Sequence, residues 1–352
     1  MSTVSLTVDG IPVTVPAGAT VLEAARQAGI AIPTLCHDPE LTKPGACRLC
    51  VVEIQGMRNL PASCVTTAAE GMVVSTCSPA VVEARQTILD LLLMNHPQDC
   101  LTCHKAGDCR LQDYAYEYGV RQPSFQGERH NYPLDDSNPF IARDLNKCIL
   151  CGKCVRVCEE VQGRSVVGFA HRGFNTRIAP PMDVQLGESD CVFCGSCVSV
   201  CPVGALAEKQ MLGLGRSWEI EKVRTVCPYC GTGCTIELNV KGGKVIGVTS
   251  TPEGEVNGRA LCVKGRFGYN FIHHPDRLKT PLIRKDGEFV EATWDEALNL
   301  VAEKFREIKD TAGPDALAVL TSARCTNEEN YLVNKFARAV LGTNNIDHCA
   351  RL

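Results

Sequence analysis

Two short stretches, CILCGKCVRVC at residues 148–158 and CVFCGSCVSVCP at residues 191–202, decide how the middle of this chain folds. Each stretch places three cysteines at intervals of three residues and a fourth cysteine four residues later. With this spacing thiolates hold a pair of 4Fe–4S clusters, and the fourth cysteine of each stretch binds the cluster of the other. The two predicted ligand sets are Cys148, Cys151, Cys154 and Cys201, and Cys191, Cys194, Cys197 and Cys158.

The two stretches differ at the residue that follows the fourth cysteine. The second stretch has Pro202 there, and the first has Glu159. Because proline cannot continue a helix and glutamate can, we expect a looser local turn at Glu159. The difference leaves the four predicted ligands of each cluster in place.

The overall composition narrows the chemistry. The chain has 352 residues and 22 cysteines, and its start has no basic region followed by an apolar core. We therefore expect no secretion signal and a cytoplasmic location, where disulfides are uncommon and close C-x-x-C runs indicate metal binding. The net charge of −4 gives no sign of nucleic-acid binding. No apolar run reaches the ~18 residues that a membrane span requires.

A second kind of cysteine set lies nearer the N-terminus. Its first cysteine is separated from a close pair, and a fourth cysteine follows that pair. Its members are Cys36, Cys47, Cys50 and Cys64. Plant-type 2Fe–2S ferredoxins use a related order with different gaps, so the set predicts a 2Fe–2S cluster. A zinc site is the alternative, because four thiolates also suit one Zn²⁺ ion.

The next group has only three cysteines, so a fourth ligand is needed. The group comprises His96, Cys100, Cys103 and Cys109. His96 lies at a useful spacing, and His104 is the competitor. A neutral imidazole in place of a thiolate makes a 4Fe–4S site less negative, which should raise its reduction potential.

A last set of four cysteines predicts a further 4Fe–4S cluster. The set is Cys227, Cys230, Cys234 and Cys262. Lys264 lies two residues after its last member, and from spacing alone a solvated lysine is the more ordinary interpretation. The total is five clusters, which is typical of an electron-transfer chain. Cys77, Cys325 and Cys349 remain, and for Cys77 and Cys325 small buried apolar residues are the simplest interpretation.

Periodicity places these sets on secondary structure. Strands at 4–8 and 11–15, a helix capped by Thr20, and the Cys36 set that follows predict a β-grasp fold. A helix is predicted at 79–95, with Val81, Arg85, Ile88 and Leu92 on one face. Capped helices after Thr293 and Thr326, with a buried strand at 316–320, indicate an incomplete α/β unit.

The predicted fold is therefore an α+β multidomain chain. Its domains are a 2Fe–2S ferredoxin-like domain (1–78), a 4Fe–4S domain with one histidine and three cysteine ligands (79–138), a bacterial-type two-cluster ferredoxin domain (139–212), a further 4Fe–4S domain (220–280) and the start of an α/β domain (281–352).

Longer motifs carry a resemblance to known families. The stretch HPQDCLTCHKAGDCRLQD at 96–113 lies within residues 1–210, which resemble the N-terminal region of the large iron–sulfur subunit of respiratory complex I and of iron-only hydrogenases. The resemblance implies that His96 is the cluster ligand.

Residues 220–352 resemble the start of a molybdopterin oxidoreductase, and within that group a formate dehydrogenase. The motifs that carry this resemblance are CPYCGTGC (227–234), LCVKGRFG (261–268), the HHPDRLKTPLIRKDGEFVEATWDEAL stretch (273–298) and TNEENYLVNKFARAVLGTNNIDHCAR (326–351). The resemblance implies a molybdenum or tungsten bis-molybdopterin guanine dinucleotide cofactor, with Lys264 relaying electrons between that cofactor and the Cys262 cluster. It implies a selenocysteine or cysteine ligand to the metal just after Leu352. We therefore expect that the chain stops at a recoded UGA codon, with a genuine end or a deliberate cut as alternatives. Cys349 is a weaker candidate for that ligand, because it lies four positions too early.

The resemblance also implies partners and a reaction. The expected reaction is formate to CO₂ or its reverse, with electrons carried through five clusters to a flavin subunit that binds NAD or NADP, or to a ferredoxin or hydrogenase-type subunit. The alternative is a non-catalytic electron-transfer subunit with the same five clusters, as in complex I. The motifs do not decide between molybdenum and tungsten, among these acceptors, or on the physiological direction.

Overall fold

The computed structural model describes residues 2–125 and 127–349, and it begins with a tight hairpin. Strand β1 (Thr3–Val8) pairs antiparallel with β2 (Ile11–Pro16), with Val8 opposite Ile11. The two turn residues, Asp9 and Gly10, have φ angles of 46° and 81°, which suits a two-residue turn that requires positive φ. The predicted hairpin is confirmed.

A helix and two short strands complete this first module. Helix α1 (Val21–Gln27) has the predicted capping box between Thr20 and Glu23. Strands β3 (Glu53–Ile54) and β4 (Val73–Ser75) extend the sheet in the order β2-β1-β4-β3, with β1 parallel to β4. The buried face of α1 packs on this mixed sheet, as a β-grasp arrangement requires.

Two helices follow. They are α2 (Pro79–Asn95) and α3 (Arg110–Glu117). The bounds of α2 match the prediction. Val81 and Arg85 are buried, and Ile88 and Leu92 are partly buried and pack against the same core as Leu89 and Leu93. The predicted face of α2 is therefore the face that contacts the neighbouring residues.

The central module is built from short elements around its cysteines. These are β5 (Ile141–Arg143), α4 (Lys153–Arg156), β6 (Gly168–Ala170), β7 (Arg177–Ala179), α5 (Ser196–Val200) and β8 (Leu206–Glu208). Strand β5 pairs with β8, and β6 pairs with β7, both antiparallel. The first and last strands therefore meet, which brings the two cysteine stretches side by side.

A three-stranded antiparallel sheet forms the next module. Its strands are β9 (Glu221–Val226), β10 (Thr235–Lys241) and β11 (Lys244–Thr249), and helix α6 (Val263–Phe267) follows them. Strand β10 is central, and the loop that carries Cys227, Cys230 and Cys234 connects β9 to β10.

The last module contains β12 (Leu282–Lys285), β13 (Glu288–Glu291), α7 (Trp294–Ala312), β14 (Val319–Ser322), α8 (Asn327–Phe336) and β15 (Ile346–Cys349). Strands β14 and β15 are parallel, so β14, α8 and β15 form a β-α-β unit. Both helices have the predicted capping boxes. Strand β15 was not predicted.

The buried strand expected at 316–320 was wrong in two ways. The strand begins three residues later, at Val319, and Leu320 is 82% exposed. Helix α7 buries none of its residues within the described part of the chain, although the prediction that it is a helix is confirmed. The apolar faces of this module follow the helical period, but the described elements leave them uncovered.

Buried arginines join the modules. The Arg266 guanidinium, in α6, donates to the carbonyl of Cys194 at 2.9 Å and pairs with Glu208 at 3.1 Å. Arg259 pairs with Asp38 of the first module at 2.8 Å. Burial raises the pKa of Asp38, but the hydrogen bonds from Arg259 and from the Glu40 backbone, together with the charges of Arg259 and Lys153, outweigh burial and hold that pKa below its usual value.

Gly195 lies where two modules meet, and replacing it should loosen that junction. Its φ is +71°, and an added Cβ would lie 2.2 Å from Cδ of Arg266. Gly195→Ala should lose about 1–2 kcal/mol from the left-handed backbone and about 1–3 kcal/mol from overpacking. Gly213→Ala is the control, because its φ is +76° with nothing within 4 Å. Thermal unfolding should show a larger fall in midpoint for Gly195→Ala. Equal falls for the two variants would contradict the tight junction.

Candidate metal centres

The two cysteine loops of the central module have the same backbone geometry. Leu150 and Phe193, each two residues after the first cysteine, have φ angles of 54° and 57°. This uncommon conformation turns their N–H groups toward sulfur, and they donate to Sγ of Cys148 at 3.5 Å and of Cys191 at 3.4 Å. Hydrogen bonds to sulfur are one means by which a protein sets cluster potentials.

The structure brings the crossed cysteine sets together. One cavity is lined by Cys148, Cys151, Cys154 and Cys201, and a second is lined by Cys158, Cys191, Cys194 and Cys197. These are the two sets that the spacing predicts, with the fourth cysteine supplied by the other stretch. The remaining lining is largely apolar in both cavities, with Ile178 and Val203 in the first and Ile141 and Leu186 in the second.

The chemistry of these thiols fits a metal cluster. Burial raises the pKa of Cys148, Cys151 and Cys201 to about 11, and it raises the pKa of Cys154 and Cys197 as well. A buried thiol at this pKa stays neutral unless a cation binds it as thiolate. Converging buried thiols around an apolar cavity are therefore suited to an iron–sulfur cluster, whose irons would supply that cation.

Glu159 has a visible effect on the first loop. Helix α4 continues through Cys158 as a wide π-turn (Val157–Val161), whereas α5 stops at Cys201, just before Pro202. The two stretches therefore differ after the fourth cysteine, as expected. The first stretch continues for one wide helical turn, and the second stretch stops. Cys158 still reaches the second cavity.

The thiols of the first module are paired. A hydrogen bond with Cys36 lowers the pKa of Cys47 to about 5, and one with Cys64 lowers the pKa of Cys50 to about 7. The same bonds raise the pKa values of Cys36 and Cys64. Cys36, Cys50 and Cys64 are fully enclosed by the chain. Two adjacent thiol pairs suit two irons, so the residues fit the predicted 2Fe–2S cluster.

The set with one histidine lies between α2 and α3. A single cavity is lined by His96, Cys100 and Cys109, among other residues, and Nδ1 of His96 is buried without a hydrogen-bond partner. Burial lowers the pKa of His96, so the ring is neutral and can act as a ligand. His104 also has a buried, unpartnered Nε2, but it lines a different cavity that none of these cysteines lines. The geometry favours His96.

The last set is the most exposed. Cys227 is buried and Cys234 is half-buried, but Cys230 and Cys262 are exposed. A Cβ at Gly265 would lie 3.6 Å from Sγ of Cys227 and 3.9 Å from Sγ of Cys262, which shows that these two thiols face the same point.

Lys264 is exposed and lies beside this set. The hydrogen bond with Thr232 is the largest cause that lowers the pKa of Cys230, and the positive charges of Lys264 and Arg324 lower it further. Lys264 therefore lies close enough to the cysteine set for its charge to act on a ligand thiol.

The remaining cysteines have no assigned role. Cys77 is exposed, so its interpretation as a small buried residue was wrong, and Cys325 is half-buried. The side chain of Cys349 and residues 350–352 lie outside the described residues, as does the expected ligand after Leu352. Within residues 2–125 and 127–349, no three His, Cys, Asp or Glu side chains converge closely enough to hold a single metal ion.

Two buried residues near the ligands were missed from the sequence. Arg156 follows Cys154 by two residues, and Lys147 precedes Cys148 and pairs with Asp99 at 2.8 Å. Neither residue has a distinctive spacing, because each acts through contacts with a distant part of the chain. A charged residue inside a cysteine run is the only available signal, and it is a weak one.

Family comparisons cover nearly the whole chain. Residues 1–79 match a 2Fe–2S cluster binding domain, 85–124 match the iron–sulfur binding region of NADH-ubiquinone oxidoreductase-G, and 138–207 match the ferredoxin-like domain of NADH-quinone oxidoreductase subunit 3. Residues 220–274 match the molybdopterin oxidoreductase Fe4S4 domain, and 277–352 match molybdopterin oxidoreductase.

Individual relatives agree with these matches. A G-type subunit of NADH-quinone oxidoreductase from Rhizobium meliloti is 40% identical over 350 residues, which is 99% of this chain and 40% of that protein. A Bacillus subtilis protein, YrhE, provisionally named a formate dehydrogenase, is 36% identical over 393 residues, covering 100% of this chain and 40% of its own length. The chain thus spans about 40% of the length of these curated relatives.

One solved structure is also similar. A chain in the crystal structure of an NAD⁺-reducing [NiFe]-hydrogenase aligns with a TM-score of 0.56 and 35% identity, over 60% of this chain and 90% of that one.

The fold and the cysteine sets define an iron–sulfur electron-transfer protein. Residues 220–274 and 277–352 are similar to molybdopterin oxidoreductases, and the residues before them are similar to the iron–sulfur region of the G-type subunits of NADH-quinone oxidoreductase. None of the helices in the described part of the chain has the length and apolar character needed to cross a membrane.

Replacing His96 and His104 one at a time should show which of the two histidines is the cluster ligand. His96→Cys should keep four irons at this site and lower the cluster potential on the order of 100 mV, because a thiolate adds negative charge. His104→Asn should leave the potential unchanged. Iron analysis with EPR-monitored redox titration measures both. Loss of the cluster in His104→Asn together with an unaltered potential in His96→Cys would reverse the assignment.

Proposed function

We propose that this chain is the iron–sulfur-rich part of a formate dehydrogenase catalytic subunit, which carries electrons between a molybdenum or tungsten pterin site and a partner subunit. The observation that carries the proposal is that the exposed Lys264 lies beside the last cysteine set, of which Cys230 and Cys262 are also exposed. That set is joined through the buried Arg266 to the loop of Cys194. The provisional name of the Bacillus subtilis relative supports the substrate.

The proposed ligand sets are the five described above, one for a 2Fe–2S cluster and four for 4Fe–4S clusters. The clusters, when bound, accept and release single electrons, and the molybdenum or tungsten pterin cofactor supplies the two-electron oxidation of formate to CO₂. The chain's own residues hold, enclose and space these groups. The N–H groups that donate to sulfur, and the imidazole of His96 in place of a thiolate, would adjust the potentials of individual clusters.

Lys264 is proposed to lie between the cluster of Cys262 and the pterin. An ammonium group at this place would attract the anionic cofactor and keep the distance between cofactor and cluster short. The exposure of Lys264, Cys230 and Cys262 leaves this side of the module open to such a group.

The proposed partners lie at the other end of the electron path. A flavin subunit that binds NAD or NADP is our first choice, since the solved relative belongs to an enzyme that reduces NAD⁺. A ferredoxin or a hydrogenase-type subunit is the alternative. We place the protein in the cytoplasm, where thiol-rich metal sites are kept reduced during assembly.

A second candidate function is a non-catalytic electron-transfer subunit. The similarity to the Rhizobium meliloti protein favours it, because a relative with 40% identity is named as a subunit of NADH-quinone oxidoreductase. Both candidates use the same iron–sulfur ligands, so iron content does not distinguish them. The content of molybdenum or tungsten in the native protein does.

The proposal is tested on the native protein isolated anaerobically from its source. Elemental analysis should find molybdenum or tungsten beside iron, and added formate should reduce the clusters as seen by EPR. Selenium and intact mass are measured on the same sample. Cluster reduction by NADH with neither metal present, and no response to formate, would leave the electron-transfer subunit as the function.

Lys264→Gln tests the proposed relay. Formate-dependent reduction of the clusters should slow by about tenfold or more, equivalent to at least ~1.4 kcal/mol in the barrier. Reduction by dithionite should be unchanged, because it does not use the pterin site. Lys279→Gln is the control, since Lys279 is another exposed lysine of the same region. Equal rates in the two variants would remove Lys264 from the path.

A further inference from the structure

Arg156 connects two different ligand sets. It lies at the end of α4, is only 8% exposed, and directs its guanidinium toward the first module. Its Nη2 donates to the carbonyl of Cys36 at 2.7 Å and to the carbonyl of Cys151 at 3.3 Å, and its Nη1 donates to the carbonyl of Thr42 at 2.5 Å. Nη2 of Arg156 thus contacts the backbone of two predicted ligands, Cys36 of the 2Fe–2S set and Cys151 of a 4Fe–4S set.

The charge of Arg156 has no carboxylate partner, unlike the charges of Arg266 and Arg259 at the neighbouring junctions. Arg266 pairs with Glu208, and Arg259 pairs with Asp38. Across residues 2–125 and 127–349, no carboxylate oxygen lies within 4 Å of the Arg156 guanidinium. A buried charge without a counter-charge is costly.

The neighbouring ionic groups do not change this conclusion. Glu160, four residues further along the chain, accepts hydrogen bonds from the backbone N–H and the hydroxyl of Thr42. Lys153 adds a second positive charge, and its contact with Asp38 is long, at 3.9 Å. Arg259 also pairs with Glu40 at 2.6 Å, so the cations and carboxylates around this junction are equal in number. Among the cations, Arg156 is the one that donates to the backbone of a ligand from each of the two cysteine sets.

We propose that Arg156 is a positioning residue whose charge raises the reduction potentials of two clusters together, the 2Fe–2S cluster of the Cys36 set and the 4Fe–4S cluster of the Cys151 set. The inference rests on the ligand sets of the proposed function. A cluster held by four thiolates is anionic, and reduction adds another negative charge. A cation enclosed beside it stabilises the reduced form, and net charge is one of the factors that set cluster potentials.

The fork of the guanidinium explains why arginine occupies this place. Arginine is always charged, and its planar donors can reach several acceptors at fixed angles. Here the fork holds the Cys36 loop against the Cys151 loop, so that the charge keeps the same place relative to both clusters. Lysine would retain the charge but not the fork.

The test is an EPR-monitored redox titration of the full cluster-loaded chain. In Arg156→Gln, the ratio of reduced to oxidised cluster at a fixed potential should fall about tenfold for both clusters, which is 59 mV for one electron. Arg156→Lys should keep both potentials near those of the wild type. Unchanged potentials in Arg156→Gln would overturn the inference, and so would a lysine variant that behaves like the glutamine variant.

Arg85→Gln is the matched control. Arg85 is equally enclosed and donates to the carbonyl of Val51 at 2.9 Å and to the Tyr118 hydroxyl at 2.8 Å. Neither of these acceptors belongs to the Cys151 loop, so the loss of Arg85 should leave the potential of the Cys151 cluster unchanged. A shift of the Cys151 cluster in Arg85→Gln as large as that in Arg156→Gln would overturn the specific role of Arg156.

Two further outcomes separate this inference from the proposed ligand sets. If Arg156→Gln loses both clusters while Arg156→Lys keeps them, the buried charge is required by the anionic clusters and the inference is supported. If the wild-type protein shows no 2Fe–2S signal, the ligand assignment of the Cys36 set fails first, and the inference fails with it.

Discussion

The exchange of fourth cysteines between the two halves of the central module is the constraint on which the other modules depend. Cys201 completes the cavity of the first stretch and Cys158 completes that of the second, so neither cavity forms until both halves fold. The apolar core around them is small, with Ile141, Val166 and Leu186 among its few fully buried members. Bound metal would therefore contribute directly to folding, as in other small metal-binding domains. The contacts with the modules on either side also start from these two cysteine stretches. Arg156 donates to the carbonyl of Cys151, and Arg266 donates to the carbonyl of Cys194.

The sequence was sufficient for local features and insufficient for contacts between distant residues. The hairpin at Asp9 and the capping boxes of α1, α7 and α8 depend on neighbours in the chain, and all were predicted correctly. The crossed cysteine sets were also predictable, because ligand chemistry fixes both the residue type and the spacing. These sets come together in the structure as the spacing required.

The errors have a common physical origin. Strand β15 was missed because its pairing with β14 spans the whole of α8. Arg156 and Arg266 act on residues more than 70 positions away, so nothing in their own surroundings marks them. The helices that carry Arg156 and Arg266 are too short for hydrophobic periodicity to define a buried face, and arginine is mostly an exposed residue type.

Burial differs sharply between the first and the last cysteine set, and this difference affects electron transfer. The thiols of Cys36, Cys50 and Cys64 are fully enclosed, whereas Cys230 and Cys262 are exposed. Enclosure in an apolar environment disfavours the added charge of a reduced cluster, so an enclosed 2Fe–2S cluster would be hard to reduce without compensation. A buried arginine without a carboxylate partner supplies that compensation and keeps water out. On the proposed assignment, Arg156 lets the enclosed 2Fe–2S cluster accept electrons from clusters nearer to solvent. Without that charge, the 2Fe–2S site would have to be exposed to solvent for its reduced form to be stabilised.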